Sequence, residues 1–192
     1  EGKAKVVDLL AEDYDIIARF NGGANAGHTV VTPHGEAKLM QVPSGAFHPS
    51  KLLYIGSGCA VNVLKLAGEI NSLIRLGVSL ENRLFISHRC SIVQPHHIVF
   101  DLEHGTEIGT TGNGIGACYA DQSIRMKSGA RTGLQLKDLG QDEISAFAIM
   151  QRNLTASRSE NQVSDSDRQA LIALKSAWDF VKQFVTEDDL LL

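Results

Sequence analysis

The stretch that most narrows what this chain can fold into is Asn21–Thr29, Asn-Gly-Gly-Ala-Asn-Ala-Gly-His-Thr, set between the short apolar runs Asp15–Phe20 and Thr29–Thr32. The two runs read as β-strands, so the segment between them is a loop held at both ends by a sheet. Gly22, Gly23 and Gly27 permit backbone angles closed to other residues and let an anion approach the main-chain N–H groups closely. Asn25 adds a side-chain amide, and His28 is the residue of the segment that can exchange a proton near neutral pH. Such a loop suits a catalytic residue. The same spacing also describes an ordinary Gly-rich turn carrying a surface histidine, and short glycine patterns alone do not separate the two.

Around this loop, apolar runs alternate with helical periodicity. Val6, Val7, Leu9 and Leu10 fit a helix of about three turns that opens on Gly2-Lys3, a pairing that suits phosphate at a helix N-terminus or simply a solvated helix end. Pro33-His34-Gly35-Glu36 reads as a turn, Lys38–Val42, Leu52–Ile55 and Arg83–Ser87 as strands, and Val63–Leu76 as a helix stopped by Gly77. This pattern predicts an α/β fold with a mixed, partly parallel sheet, flanking helices and Gly-rich loops. Residues 1–140 form that α/β portion. Residues 141–192 form a helical segment, with helices over Asp142–Met150 and Asp167–Phe184 joined by the polar stretch Thr155–Ser166, and with Trp178 on an apolar face.

A second glycine stretch, Gly109–Tyr119, interleaves four glycines with Thr110, Thr111 and Asn113, and Arg125 follows as a possible phosphate clamp. It is not a dinucleotide fingerprint, because no clear strand leads into it and no acidic residue follows at the required distance. His88, His96, His97 and His104 suggest a metal, but adjacent His96 and His97 should diverge, which favours surface or helix-capping roles. The net charge of −4 without any dense Lys/Arg run excludes a nucleic-acid or membrane-surface footprint, and no apolar stretch is long enough to span a bilayer. Cys59, Cys90 and Cys118 are widely spaced and odd in number, so they read as buried reduced thiols of a cytoplasmic protein. The closing Leu190-Leu191-Leu192 would need something to pack against.

Several ordered motifs together resemble the adenylosuccinate synthetases: Glu1-Gly2-Lys3-x-Lys5-x-Val7-Asp8-Leu9-Leu10, Gly22-Gly23-x-Asn25-Ala26-Gly27-His28-Thr29, Pro43-Ser44-Gly45, Ile55-Gly56-x-Gly58 and Ile108-Gly109-Thr110-Thr111-Gly112-x-Gly114-Ile115-Gly116. The resemblance implies a GTP-dependent, magnesium-requiring ligase that joins IMP and L-aspartate through 6-phosphoryl-IMP and works as a homodimer. It implies that Glu1, Gly2, Lys3, Ala4, Lys5, Gly27, His28 and Thr29 line GTP. IMP would meet Glu1, Gly2, Lys3, Asn25, Ala26, Gly27, His28, Thr111 and Arg125, the last reaching the other subunit. Gly27 would give its carbonyl to magnesium, Lys3 would neutralise the transferred phosphoryl group, and His28 would be the general acid. The family's catalytic aspartate, expected just before Glu1, is not in the sequence.

The sequence also departs from the family pattern. Ala4 stands for a glycine, and Asn113, Ala117, Gln122 and Met126 stand where the family usually has Arg, Pro, Lys and Arg, which thins the positive charge near Arg125. Lys127–Arg131 looks like a small insertion. The family's chain is roughly twice as long, so the sequence reads as an incomplete N-terminal half that is inactive alone. A non-catalytic nucleotide-binding or interaction protein of the same descent is the rival reading.

Overall fold

The computed structural model describes the chain apart from residues 1–2, 26, 33–34, 106–108, 128, 159–161 and 188–192, with the main chain alone at 3–5, 8, 28, 30–32 and 35. Glu1, Gly2, Ala26, the tip Pro33-His34 and Leu190–Leu192 therefore lie outside the described residues. In chain order the first half comprises α1 (Lys3–Leu10), β1 (Ile16–Arg19), β2 (His28–Thr32), β3 (Gly35–Leu39), β4 (Leu52–Ile55), β5 (Ala60–Val61), α2 (Val63–Arg75), β6 (Leu84–Ser87) and β7 (Ser91–Ile92). The second half comprises α3 (Pro95–His104), α4 (Ile115–Ile124), β8 (Met126–Lys127), β9 (Ala130–Arg131), α5 (Leu136–Gln141), α6 (Glu143–Ala156), α7 (Asp165–Val181) and β10 (Val185–Thr186).

The main sheet has the order β1-β4-β6-β10, and every pairing in it is parallel. Its central strands are mostly apolar, with only Ser87 at the end of β6 strongly polar, as a parallel sheet covered on both faces requires. Leu53, Ile55, Leu84 and Ile86 share one core with Leu66, Ile70 and Leu73 of α2 and with Leu174, Trp178 and Val181 of α7. Each of these aliphatic side chains contributes roughly 1.5–3 kcal/mol by leaving water. Trp178 is core, and the sheet takes its fourth strand from the C-terminal segment. Among the described residues, the antiparallel ladders are two separate hairpins, β2–β3 and β8–β9, beside one isolated antiparallel bridge between Ser91 and Gln135, so the mixture lies outside the main sheet. The second hairpin pairs Met126 with Arg131 and Lys127 with Ala130.

Two sequence expectations change here. The Asn21–Thr29 loop does not join strands of one sheet: it leaves the parallel sheet at Arg19 and enters the β2–β3 hairpin, and His28 is already the first residue of β2. The strand expected over Lys38–Val42 stops at Leu39, because the N–H groups of Met40, Gln41 and Val42 turn to the Glu69 carboxylate instead of a neighbouring strand. Among the described residues, no helix is long and apolar enough to cross a membrane.

Candidate functional site

The parallel strands β1 and β4 end side by side at Arg19 and Ile55, and the chain leaves both through glycines. In open α/β sheets ligands settle in the crevice beyond such strand ends. Gly22 forms a bridge with Cys59, and its carbonyl accepts the Ala60 N–H at 2.8 Å. The two turns touch so closely that only glycine fits: a Cβ on Gly58 would stand 2.3 Å from the Phe20 carbonyl oxygen, and one on Gly23 would stand 2.6 Å from that of Ala60. Tyr119 of α4 closes the contact, its hydroxyl accepting the Gly22 N–H at 3.0 Å and donating to the Gly58 carbonyl at 2.7 Å. One phenol thus ties the helix that follows the second glycine stretch to both turns of the first.

Two charged side chains fix where the hairpin sits. The Arg19 guanidinium donates to the carbonyls of Gly23 (2.6 Å), Asn21 (3.3 Å) and Met40, bracing the start of the loop against the end of the hairpin. On the other side of Met40, the buried Glu69 carboxylate receives the Met40, Gln41 and Val42 N–H groups at 2.9–3.2 Å. Burial pushes the Glu69 carboxyl above the usual range, and these three donors together with Arg19 work against that push. Gln41 completes the frame by exchanging two hydrogen bonds with the Asn62 main chain. Between these braces, Asn25, Gly27 and Thr29 are exposed. The side chains of Lys3, Ala4, Lys5 and His28 lie outside the described residues, and only their main-chain placement, in α1 and at the head of β2, is given.

The second glycine stretch ends in α4, with Gly114 capping the helix and donating to Asp101 Oδ2 at 2.8 Å. Thr111 is exposed, and its hydroxyl oxygen accepts a hydrogen bond from Asn113 Nδ2 at 2.8 Å. Asn113 Oδ1 in turn accepts from the Lys65 ammonium of α2. Arg125, exposed, caps the other end of α4 with φ of 65°, a left-handed conformation uncommon for a side chain of this size.

His96 and His97 do not diverge. Both stand in the first turn of α3, where His97 Nδ1 folds back to accept the Gln94 N–H at 3.0 Å, and both rings meet one carboxylate of α4. His96 Nε2 lies 2.8 Å and His97 Nε2 3.2 Å from Asp121 Oδ2. Because His97 Nδ1 is an acceptor, its Nε2 carries the proton. With Nδ1 engaged in the helix cap and Nε2–H turned to Asp121, the trio forms a hydrogen-bonded lock between α3 and α4. Burial works against the charge on Asp121, but the His97 and His96 bonds overcome it and hold its carboxyl below the usual range.

His96 is affected in the opposite sense. Burial, reinforced by the neighbouring His97, brings its imidazole down to about 4 despite the Asp121 bond. A histidine with a depressed folded-state pKa stabilises the fold above its ordinary titration near 6.5 and loses that contribution as pH falls to about 4. Stability of the wild type should therefore drop by up to ~3 kcal/mol across that window. His96→Gln should flatten that part of the curve in a series of urea melts, and an unchanged slope would refute the assignment. Burial raises the Cys59 thiol to about 11 and the Cys118 thiol to about 12, which leaves both unreactive, and none of the three buried cysteines forms a disulfide.

The fold brings the first glycine loop, Gly56–Gly58 and the helix after the second glycine stretch into one neighbourhood, through Gly22, Gly58 and Tyr119. Sequence reasoning missed Arg19, Glu69, Tyr119 and Lys65. Two of these left a trace: Arg19 is a lone cation at the end of an apolar strand, and Glu69 is a lone acid between Leu66 and Ile70 on the apolar face of α2. Tyr119 and Lys65 left none, because their partners are distant in sequence.

Glycine turns gathered beyond parallel strand ends, with exposed amide and hydroxyl groups and a cation nearby, define an α/β protein whose strand-end crevice has the chemistry that suits an anionic ligand. The family model described as adenylosuccinate synthetase matches residues 1–192. A Cupriavidus pinatubonensis protein named adenylosuccinate synthetase 2 is 52% identical over 193 residues, which cover 100% of this chain and 41% of that protein. A Dehalococcoides mccartyi adenylosuccinate synthetase is 46% identical over 138 residues, covering 69% of this chain and 32% of the relative. Among solved structures, the fully ligated adenylosuccinate synthetase of Plasmodium falciparum superposes with a TM-score of 0.78 at 28% identity, covering 97% of this chain and 43% of that one. The cyanophage S-2L succinoaminodeoxyadenylate synthetase bound to dGMP and dATP shares the fold, with a TM-score of 0.57 at 22% identity over 76% of this chain and 40% of that one. The chain belongs to the adenylosuccinate synthetase family, and it spans 41% of the length of the first of these relatives.

Proposed function

We propose that the protein to which this chain belongs ligates IMP and L-aspartate to adenylosuccinate at the expense of GTP, acting as a cytoplasmic homodimer. Family membership supports this reading, and so does one geometric observation: Tyr119 joins the α4 end of the second glycine stretch to the Gly22 and Gly58 turns, so two candidate phosphate-binding loops share one neighbourhood. Phosphoryl transfer requires mainly positioned cations and donors around the charge-bearing group, with a proton donor near neutral pH. In this reading the GTP γ-phosphoryl group passes to IMP, releasing GDP and forming 6-phosphoryl-IMP, and the aspartate amine then displaces inorganic phosphate.

Lys3 neutralises charge on the transferred group, and His28 gives the proton. Residues Glu1–Lys5 and Gly27–Thr29 border GTP, while Asn25, Ala26 and Thr111 contact IMP, and Arg125 enters the partner subunit's IMP site. The Gly27 carbonyl, in an exposed loop, is a hard oxygen donor of the kind magnesium takes. The bound ion would supply charge neutralisation between the nucleotide phosphates.

The test is to incubate the intact protein with IMP, L-aspartate, GTP and magnesium. Adenylosuccinate, GDP and phosphate should appear in equal amounts, and none should appear when GTP is left out. Binding of IMP with no product under these conditions would replace the ligase reading with a non-catalytic nucleotide-binding one.

A further inference from the structure

A charge linked to Thr111 through hydrogen bonds comes from an element far away in sequence. Lys65 lies in the first turn of α2, and its ammonium hydrogen-bonds Asn113 Oδ1. Asn113 is only 8% exposed. A primary amide has one accepting end and one donating end, so an ammonium on Oδ1 obliges Nδ2 to face the other way. Nδ2 indeed donates to the Thr111 hydroxyl oxygen at 2.8 Å and to its carbonyl at 3.3 Å. The Thr111 oxygen is thereby occupied as an acceptor, and its hydroxyl proton is left to donate outward from an exposed residue. Ammonium, amide and hydroxyl form a chain polarised in one sense, each bond strengthening the next.

The position of Lys65 costs stability. A helix N-terminus carries partial positive charge, and a cation in the first turn is repelled by it. A lysine kept in an unfavourable place and anchored on a buried amide is accounted for by what that amide does next.

We propose that Lys65 is a positioning residue for anion recognition. Through Asn113 it sets the Thr111 hydroxyl as a donor and places a positive charge behind the Gly109–Gly116 loop, so that the site selects a phosphorylated nucleoside over the bare nucleoside. The proposal rests on the reading of Thr111 as a contact of the IMP phosphate. The positive charge that the sequence lacks at position 113 is returned from α2.

The experiment measures binding of IMP and of inosine to the intact wild type, Lys65→Met and Lys65→Arg, together with the melting temperature of each. Lys65→Met should weaken IMP about tenfold while leaving inosine unchanged, which is the loss expected of one charge-assisted contact. Lys65→Arg should restore IMP affinity. The melting temperature of Lys65→Met should fall slightly at most, since a repelled cation leaves the helix start while the buried Asn113 Oδ1 loses its donor. IMP affinity equal to wild type in Lys65→Met overturns the proposal and leaves the ligase reading intact. So does a loss shared equally by IMP and inosine. A wild type that fails to bind IMP overturns both.

Discussion

Replacing His28 by alanine in the intact protein should lower the rate of adenylosuccinate formation at least about 100-fold, the scale on which a positioned general acid acts. The loss should fall on kcat, since proton donation is felt as the phosphoryl group moves and not while the nucleotides merely sit in place. The main chain at this position is secured independently of the side chain. His28 opens β2 in register opposite Leu39, which is 1% exposed, and Ala37 of the same strand is buried in the main core. The variant should therefore melt with the wild type. Steady-state kinetics with each nucleotide varied in turn provides the check, and a kcat within error of wild type would remove His28 from the chemistry.

Glu69→Ala should cost about 3–5 kcal/mol of folding stability, the range for breaking a buried charged cluster. The reason lies in what is left behind. Met40, Gln41 and Val42 send their N–H groups to this one carboxylate, and Gln41 and Val42 are each only 2% exposed. Without the acceptor, three donors in sequence lose their partner where water has little access, and the truncated side chain opens a gap beside Leu66 and Ile70. Glu69→Gln should cost less, because one oxygen still accepts, though the new amide N–H₂ faces other donors. Denaturant midpoints at constant slope would measure both. A midpoint for Glu69→Ala equal to wild type would mean that the 40–42 segment finds other partners.

The legible part of the fold is the part whose information is local. β4 and α2 stand where their apolar spacing places them, and the Gly77 stop follows the last turn of α2. Ser164 and Asp167, three positions apart in ordinary polar sequence, form a reciprocal cap that starts α7 slightly earlier than periodicity alone indicates. What the sequence conceals is set by pairs remote along the chain. The end of β3 is decided by Glu69, and the shared direction of His96 and His97 by Asp121 of α4 and by the N-terminal turn, where the N3 side chain folds back on its cap. The candidate site divides in the same way. Its glycine loops and Thr111 are readable as motifs, whereas Arg19, Tyr119 and the Lys65–Asn113 link exist only once the loops have met.

Among the described residues, the β2–β3 hairpin shares no backbone ladder with the parallel sheet, and it is fastened by Ala37 and Leu39 in the core and by the Arg19 and Glu69 side chains. A ladder can shift only by whole residues, with every side chain changing face. Side-chain fastenings have no such quantum, and a change of rotamer or of one methylene shifts the hairpin by a fraction of an ångström. Evolution can therefore tune the distance between residue 28 and the strand-end crevice in small steps, while the register of the parallel sheet stays fixed.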